Sequence, residues 1–596
     1  MIGILINDKD YLDVDNSVNL EMEFHSPIFN ENAFLGSWTY NFSLPLSAKN
    51  KKLLDHPHIL ENSKKTQSYD VQLFLDNVFF EIGTLTVSDI GTRINCRMGI
   101  AESSFLFKAK NKTLKDLDFW SLDLYSPETS YNPLAYFKYL AENPDIDNTI
   151  VFYPYENKKL GDNFDSEDLK DNYNTNAFYV NYYKDAAFVE DAFAVAGHWI
   201  IYNPAVYVAK LVEEIFIKFG INIQHNEMRY SNALKWLTLL HCSSINEQVF
   251  PTLNLFQDTV NFSDIVPDVL IVDFLKALKS TFLLIPFINN GKMDYKSFFS
   301  ISSLNKFYDF GAIVKDSLLP SPRKGINYKL SLANPNKDDY FKDNVKAFDV
   351  DDYESFSSGA VLPSWTTYPT PGSLFLCTTD NFFYEWVLKD SPVSNPPAAD
   401  DFEWVKVSFN FYKDYNSDDS IEETVAIESV ACTALNNESP FQDELYGSSR
   451  KWFIPRIEQP IWVKYIFNTY DNDPEDIRFL NYLGMQEDSN GWEYPMASYA
   501  KKLPNGSTAT TGTHLEADST AGGLIDFHEA YKRIIADENR EFSFQKSFNS
   551  ITELKNAIKF DRKWQIDGRA FFVKSLKISY SNASGLGIAE VEAIQI

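Results

Sequence analysis

The stretch DVQLFLDNVFFEIGTLTV, residues 70–87, limits the fold more than any other part of this 596-residue chain. Val71, Leu73 and Leu75 alternate with polar residues, the period-two pattern of a half-buried strand. Asp76-Asn77 supplies turn chemistry, and Phe79 to Val87 returns the chain, so the segment reads as a β-hairpin. Gly83 inside the return strand marks a bulge or a close backbone approach. A chain with 48 Phe and 33 Tyr favours strands generally, because flat side chains pack well on a pleated surface.

SWTYNFSLPLSAKN, residues 37–50, reads as a join between elements. Trp38, Tyr40 and Phe42 alternate with Thr39, Asn41 and Ser43, and Pro45 ends or edges that strand. Ser47 or Asn50 then caps a short helical turn carrying Leu53 and Leu54. No glycine cluster cradles a phosphate, and no nucleophile sits beside a base.

Residues 106–200 are Asn-, Asp- and Tyr-rich with weak periodicity and read as a loop-rich insertion. A helix is predicted over about 204–219, with Asn203 as N-cap, Pro204 at the first helical position and Gly220 as the stop. Val208, Leu211, Val212, Ile215, Phe216 and Phe219 form its apolar stripe. A second helix is predicted over about 269–282, capped by Asp268 and packed through Phe274, Leu275, Leu278 and Phe282. FLLIPFINNGKMDYKSF then reads as strand, Asn290-Gly291 turn, strand. SLFLCTTDNFFYEWVL (373–388) is a hairpin split by Asp380-Asn381. Residues 391–401 are a Pro-rich linker or loop, and 503–523 are low-complexity. Near the end, Ser550-Ile551-Thr552-Glu553 is a capping box, and a short helix follows to about Ile558. WQIDGRAFFV turns at Asp567-Gly568, and SLKISYS and AEVEAIQI add two strands. No repeat of fixed period stands out.

Charge and motifs exclude several functions. There are 54 Lys and Arg against 83 Asp and Glu, a net charge of −29, which repels a nucleic-acid backbone and an anionic membrane. Cys96, Cys242, Cys377 and Cys432 lie far apart with no CxxC, so they read as free thiols in a reducing compartment. The N-terminus lacks the basic start and long apolar core of a signal peptide, and the longest apolar run, Phe282–Ile288, is far short of a membrane span. A soluble chain made in a cytoplasm is expected. No HExxH, GxSxG, P-loop or dinucleotide fingerprint appears, and no cofactor is expected. His56-Pro57-His58 has no third ligand and reads as a polar turn. In KDYNSDDSIEE (413–423), Asp414, Asn416, Asp418 and Ser420 alternate as in a calcium loop, but Asp419 replaces the required glycine and Val425 the closing glutamate. It reads as an acidic surface turn, as does YDNDPEDI (470–477). A glycosidase carboxylate pair needs only proximity in space, which spacing in sequence does not report. Tyr and Trp are also residues that interfaces favour. No catalytic, cofactor-binding or metal-binding residue is assigned, and the expectation is a protein that is not an enzyme.

The order of elements resembles tail or baseplate hub proteins of tailed bacteriophages and related prophages, especially those of Bacteroidota hosts. The residues that carry this are the opening strand with Ile-Asn-Asp, then Ser-Pro-Ile-Phe, a strand ending in Leu-Pro, the Asp-Asn hairpin ending FEIGTLTV, and residues 261–301. In that last stretch they are Pro267, Phe274, Leu275, Ala277, Leu278 and Asn290-Gly291. The closing WQIDGRAFFVKSLKIS also matches. The likeness covers roughly residues 1–110, 200–345 and the last 50, and leaves 345–540 unmatched beyond the SLFLC…FFYEW segment.

The resemblance implies a mainly β fold with α+β elements: antiparallel hub-type β-barrels closed by short helices, with an inserted β-rich decoration domain. The implied organisation is a β-barrel domain at 1–110, a loop-rich insertion at 111–200, a helix-containing hub domain at 201–345, a β-rich insertion at 346–540, and strands at 541–596 that complete a barrel. It also implies a homo-oligomeric ring, commonly a trimer, in a virion tail assembled in the bacterial host cytoplasm. Such a ring joins the tail tube or distal tail protein to tip or fibre proteins and lets DNA pass without binding it specifically. Trp38 and Phe42 are then expected to serve folding or assembly. The alternative expectation is a carbohydrate-binding or glycoside-hydrolysing tail-tip protein using acids and aromatics of 345–540. An equivalent hub of a contractile injection particle reads the same way.

Overall fold

The computed structural model describes residues 1–29, 36–59, 68–157, most of 179–188, 201–321 with short gaps, 477–487, 493–498, 524–535 and 540–596; between 326 and 463 it describes separate strands. The described chain is mainly β, with few helices. Residues 391–401, 414–420, 470–476 and 503–523, together with Cys242 and Cys432, lie outside the described residues.

The hairpin at 70–87 forms as its pattern requires. Ser68–Leu75 (β6) pairs antiparallel with Val78–Ile90 (β7). Asp76 and Asn77 turn at φ 50° and 60°, the two left-handed positions of a type I′ turn. Val71, Leu73 and Leu75 are buried. Of the two readings of Gly83, close approach is the correct one: a Cβ there would meet the Gly99 carbonyl oxygen at 2.7 Å. The bulges fall instead between Leu73 and Phe74 and between Val87 and Asp89.

This hairpin belongs to a 15-stranded sheet that interleaves both ends of the chain. Ile2–Ile6 (β1) flanks β6 and pairs on its other side with Asp10–Tyr11 (β2), and Arg93–Ile100 (β8) flanks β7. Asn19–His25 (β3) pairs along its whole length with Arg569–Ser581, from Asn19↔Ser581 to His25↔Ser575. Arg569–Ser581 then pairs with Ile588–Gln595, which pairs with Glu541–Ser547. The sheet curls so that the Met1 amino group donates to Tyr580 Oη at 2.6 Å, and Ile2 N–H donates to the Asn582 side chain. Among the described residues, side chains and not a backbone ladder make this closure, so the architecture is an antiparallel half-barrel.

SWTYNF departs from simple alternation. Ser37–Thr39 (β4) buries Ser37 and Thr39, whereas Phe42–Pro45 (β5) buries Phe42 and Leu44. The break at Tyr40-Asn41 changes the phase, so Trp38 is half-buried against His25, their rings 4.7 Å apart, while Phe42 enters the core. The following helix, Ala48–Leu53, is capped by Ser47, whose Oγ accepts from Asn50 N–H. Asn50 is buried and ties three segments: it donates to the Asp13 and Pro45 carbonyls and accepts from Asp13 N–H.

The helix predicted from 204 begins at Val208, because Ala205–Tyr207 is a strand between Ile150–Val151 and Leu237–Leu239. Asn203 is no cap. It is fully buried and joins distant segments: its Nδ2 donates to Tyr155 Oη and the His241 carbonyl, and its Oδ1 accepts from Ser243 Oγ. Asn181 pairs with its backbone on both sides. Gly220, at φ 75°, ends the helix as expected. The second helix is Ile271–Phe282, preceded by Leu270 with no side-chain cap, so Asp268 does not serve. Within the described part of 106–200, Pro133–Glu142 is a helix capped by Asn132. The Asn290-Gly291, Asp567-Gly568 and 373–388 hairpins form with antiparallel pairing. Ser550 caps Ile551–Ala557, but Glu553 reaches back to Asn549 N–H instead of Ser550.

Candidate functional site

A polar recess of the described body lies where the 284–297 hairpin meets the half-barrel. Leu284–Asn289 is the outer strand of its three-stranded sheet, so its outward N–H groups need partners from elsewhere. Glu102, in the first turn of helix Glu102–Ala109, accepts from Ile288 N–H at 3.0 Å. Glu81, on β7, accepts from Asn290 N–H at 2.6 Å. Lys555, on helix Ile551–Ala557, donates to the Phe79 carbonyl and to Asn290 Oδ1. Burial pushes the Glu102 carboxyl up to about 8; its own backbone N–H and that of Ile288 pull the other way, and Glu81 adds a smaller push. Burial also raises Glu81, opposed by N–H donors and by Lys555.

Beside this joint opens a cleft of about 260 Å³, lined by Glu102, Gln224, Lys292, Asp294, Lys559 and Arg562 among others. Lys296 bridges its carboxylates, 3.1 Å from Asp294 Oδ2 and 2.8 Å from Asp561 Oδ2. Burial works against the Lys296 charge, but the two carboxylates outweigh it and hold its pKa above the ordinary lysine value. The rim is aromatic and cationic. Phe307–Asp309 runs parallel to Lys563–Ile566 with Phe307 opposite Lys563. Lys563 Nζ lies 5.5 Å from the Phe307 ring centre, Lys306 Nζ 4.7 Å and the Arg562 guanidinium 4.4 Å from that of Tyr308. Phe299, Leu304 and Phe307 are each about half exposed.

The cleft lining contains no serine, cysteine or histidine, and its two rings, Phe287 and Phe560, are buried. The His56 and His58 rings lie 5.7 Å apart in their turn, and no group of three or more metal-ligating side chains occurs among the described residues. Cys96 is a buried free thiol. His241 and His528 are core residues whose imidazoles burial lowers to about 3 and about 4. No helix among the described residues is long and apolar enough to cross a membrane. Sequence reasoning did not single out Lys306, Phe307, Tyr308 or Arg562. Their only signal is the mixing of base and aromatic in Lys306-Phe307-Tyr308 and Arg562-Lys563-Trp564.

No family model matches the chain. No curated protein matches it. Among solved structures it is similar to the 43 kDa tail protein of prophage MuSo2 from Shewanella oneidensis, at 7% identity and a TM-score of 0.31, over 100% of this chain and 98% of that one.

Proposed function

We propose that the chain is a structural protein of a phage-type tail tip or baseplate, of the kind found in Bacteroidota phages and prophages. It forms a hub ring, commonly a trimer, that joins the tail tube to tip or fibre proteins. The half-barrel becomes part of closed hub barrels in that ring, and the chain's acidity lines a lumen through which DNA slides without sticking.

The observation that carries this reading is how the described body uses its buried and half-buried ionisable side chains. They serve as joints between segments remote in sequence. Lys279 donates to the Pro27 carbonyl, Lys546 to the Ala312 carbonyl and Glu553, and Glu227 accepts from Ser297 and Ser300. Arg229 grips Glu213 through Nε and a terminal nitrogen and also reaches Asp147. Glu81 and Glu102 hold the 284–297 hairpin. An enzyme gathers such groups around a substrate cavity; a rigid building block distributes them among its joints. The carbohydrate alternative draws on residues 345–540, most of which lie outside the described residues.

The test is the mass in solution by light scattering, alone and with the tube protein. A discrete ring, formed alone or with that partner, is expected. A stable monomer that ignores the tube protein overturns the reading.

A further inference from the structure

We propose that the cation-and-aromatic rim formed by Lys306, Phe307, Tyr308, Lys559 and Arg562 is a docking surface for the acidic face of a second copy of this chain. The inference rests on the ring reading and names the surface that would make the ring.

Three observations lead to it. The rim concentrates cations on a chain whose net charge is −29. Lone basic side chains scattered over an acidic protein need no explanation. Here Lys306 and Arg562 share one tyrosine ring, with Lys559 on the cleft beside them. Although Arg562 also lies 3.7 Å from Asp561 and Asp309 is exposed on the same strand, the group offers an acidic surface several cations to pair with. Next, Phe299, Leu304 and Phe307 are half exposed within nine residues of one another, around the short helix Phe298–Ser303 and the strand that follows it. Apolar and aromatic area of this kind is typical of the centre of a protein interface, with charge at the rim. Finally, strand Phe307–Asp309 is bonded on one side only among the described residues, so within them its outer edge carries no ladder, the kind of edge on which a partner can pair.

The same chain carries the complement. Ser121–Asp123 pairs with Thr259–Asn261, and Leu114 N–H bonds the Val269 carbonyl. These contacts gather Asp116, Asp118, Asp123, Asp258 and Asp268, all exposed, with exposed Tyr125 and Leu270 among them. Lys112 and Lys115 are the neighbouring cations; Lys112 lies 3.7 Å from Asp116, and Lys115 is drawn to Asp268 and Asp264. Because rim and acidic face are different surfaces, the contact is head-to-tail, the kind that closes into a ring when its rotation permits. A nucleic acid or another polyanion could also meet the cations. The chain's overall charge opposes that approach, and the half-exposed phenylalanines and leucine would gain little from it.

The experiment uses the full chain. Wild type and Lys306→Glu/Phe307→Ser are compared by light scattering, alone and with the tube protein. Both substitutions fall on exposed side chains, and circular dichroism checks that the fold is kept. A second measurement mixes equal amounts of ¹⁴N- and ¹⁵N-labelled wild type and treats them with carbodiimide, which joins a lysine to a carboxylate in direct contact. The expected results are association weakened roughly tenfold or more in the variant, loss of wild-type assembly at high salt, and mixed-isotope cross-links from Lys306 or Lys559 to an aspartate at 116–123 or 258–268. Assembly of the variant equal to wild type, with no such cross-links, overturns this inference and leaves the ring reading standing. A wild type that stays monomeric even with the tube protein overturns both. A rim that shifts on adding short DNA duplexes, while assembly does not depend on it, assigns it to polyanion binding and overturns the inference.

Discussion

The joint beneath the 284–297 hairpin makes a pH dependence that Glu102→Gln should abolish. Burial pushes the Glu102 carboxyl up to about 8, from 4.5 when unperturbed. Below about 4.5 both folded and unfolded chains hold the proton, and the group's contribution to stability is fully present. Between about 4.5 and 8 the unfolded chain has released the proton that the folded state keeps. Stability therefore falls as pH rises through this window and levels off above it. The ceiling on the loss is ~5 kcal/mol, reached only if the folded state must ionise a fully dry carboxyl. Glutamine keeps an oxygen that accepts from Ile288 N–H, yet it cannot ionise. Any constant cost of its amide shifts all pH values alike, so the slope is the diagnostic quantity. The assay is peptide-resolved amide exchange over Phe287–Asn290 at several pH values, taken as the ratio of variant to wild type so that the intrinsic pH dependence of exchange cancels. Protection of the variant relative to wild type should rise with pH, by up to about tenfold per unit, as one linked proton requires. Glu81 titrates in both proteins and largely drops out of the ratio. A ratio that stays flat from pH 5 to 8 refutes the reasoning: Glu102 would then ionise at an ordinary pKa, and the burial that sets the joint would be wrong.

Other perturbations follow from the same packing. Phe42→Ala should cost about 3–5 kcal/mol because it empties a core position, whereas Trp38→Ala should cost about 1–2 kcal/mol, since that ring is half-buried; urea unfolding of the two side by side checks the order. Asn203→Ala removes three side-chain hydrogen bonds from a fully buried junction and should destabilise by about 3 kcal/mol or more, read as a lowered unfolding midpoint or as early proteolysis near residues 181–243. Burial pushes the Cys96 thiol up to about 12, so at pH 8 it should resist maleimide in the folded protein and label only after unfolding, as mass spectrometry would record.

Hairpins were legible because their turns obey a local rule. A type I′ turn needs two residues with positive φ, and Asp76-Asn77, Asn290-Gly291 and Asp567-Gly568 all adopt it. What local rules cannot contain is the partner of a strand. Nothing in Asn19–His25 points to Arg569–Ser581, and that pairing makes the two chain ends one sheet. Asn203-Pro204 shows the converse. It carries a sound helix-start signal, but the buried junction takes the asparagine, and the helix starts at Val208 instead. In SWTYNF the alternation holds in type but fails in phase, because a break at Tyr40-Asn41 turns Trp38 and Phe42 to different environments.

The candidate site was hidden for a related reason. Lys306 and Arg562 stand far apart in sequence, and only the parallel pairing of Phe307–Asp309 with Lys563–Ile566 brings them over one tyrosine ring. A partial signal did exist in the joints. Glu81 interrupts an apolar strand run between Phe80 and Ile82, and Lys279 follows Leu278 on the packing side of its helix. A charge placed where the surrounding pattern calls for burial must find a partner or neutralise, since leaving it bare in the core costs far more than one hydrogen bond returns. Such residues identify joints before the structure is known, but not what they join: Glu81 meets the backbone at Asn290 and Lys279 the carbonyl of Pro27, each supplied by a segment about 200 residues or more away. The fold is therefore held together by contacts that no window of sequence contains. In the structural role proposed above, that interleaving of remote segments is the property that would keep one part from peeling away from the rest.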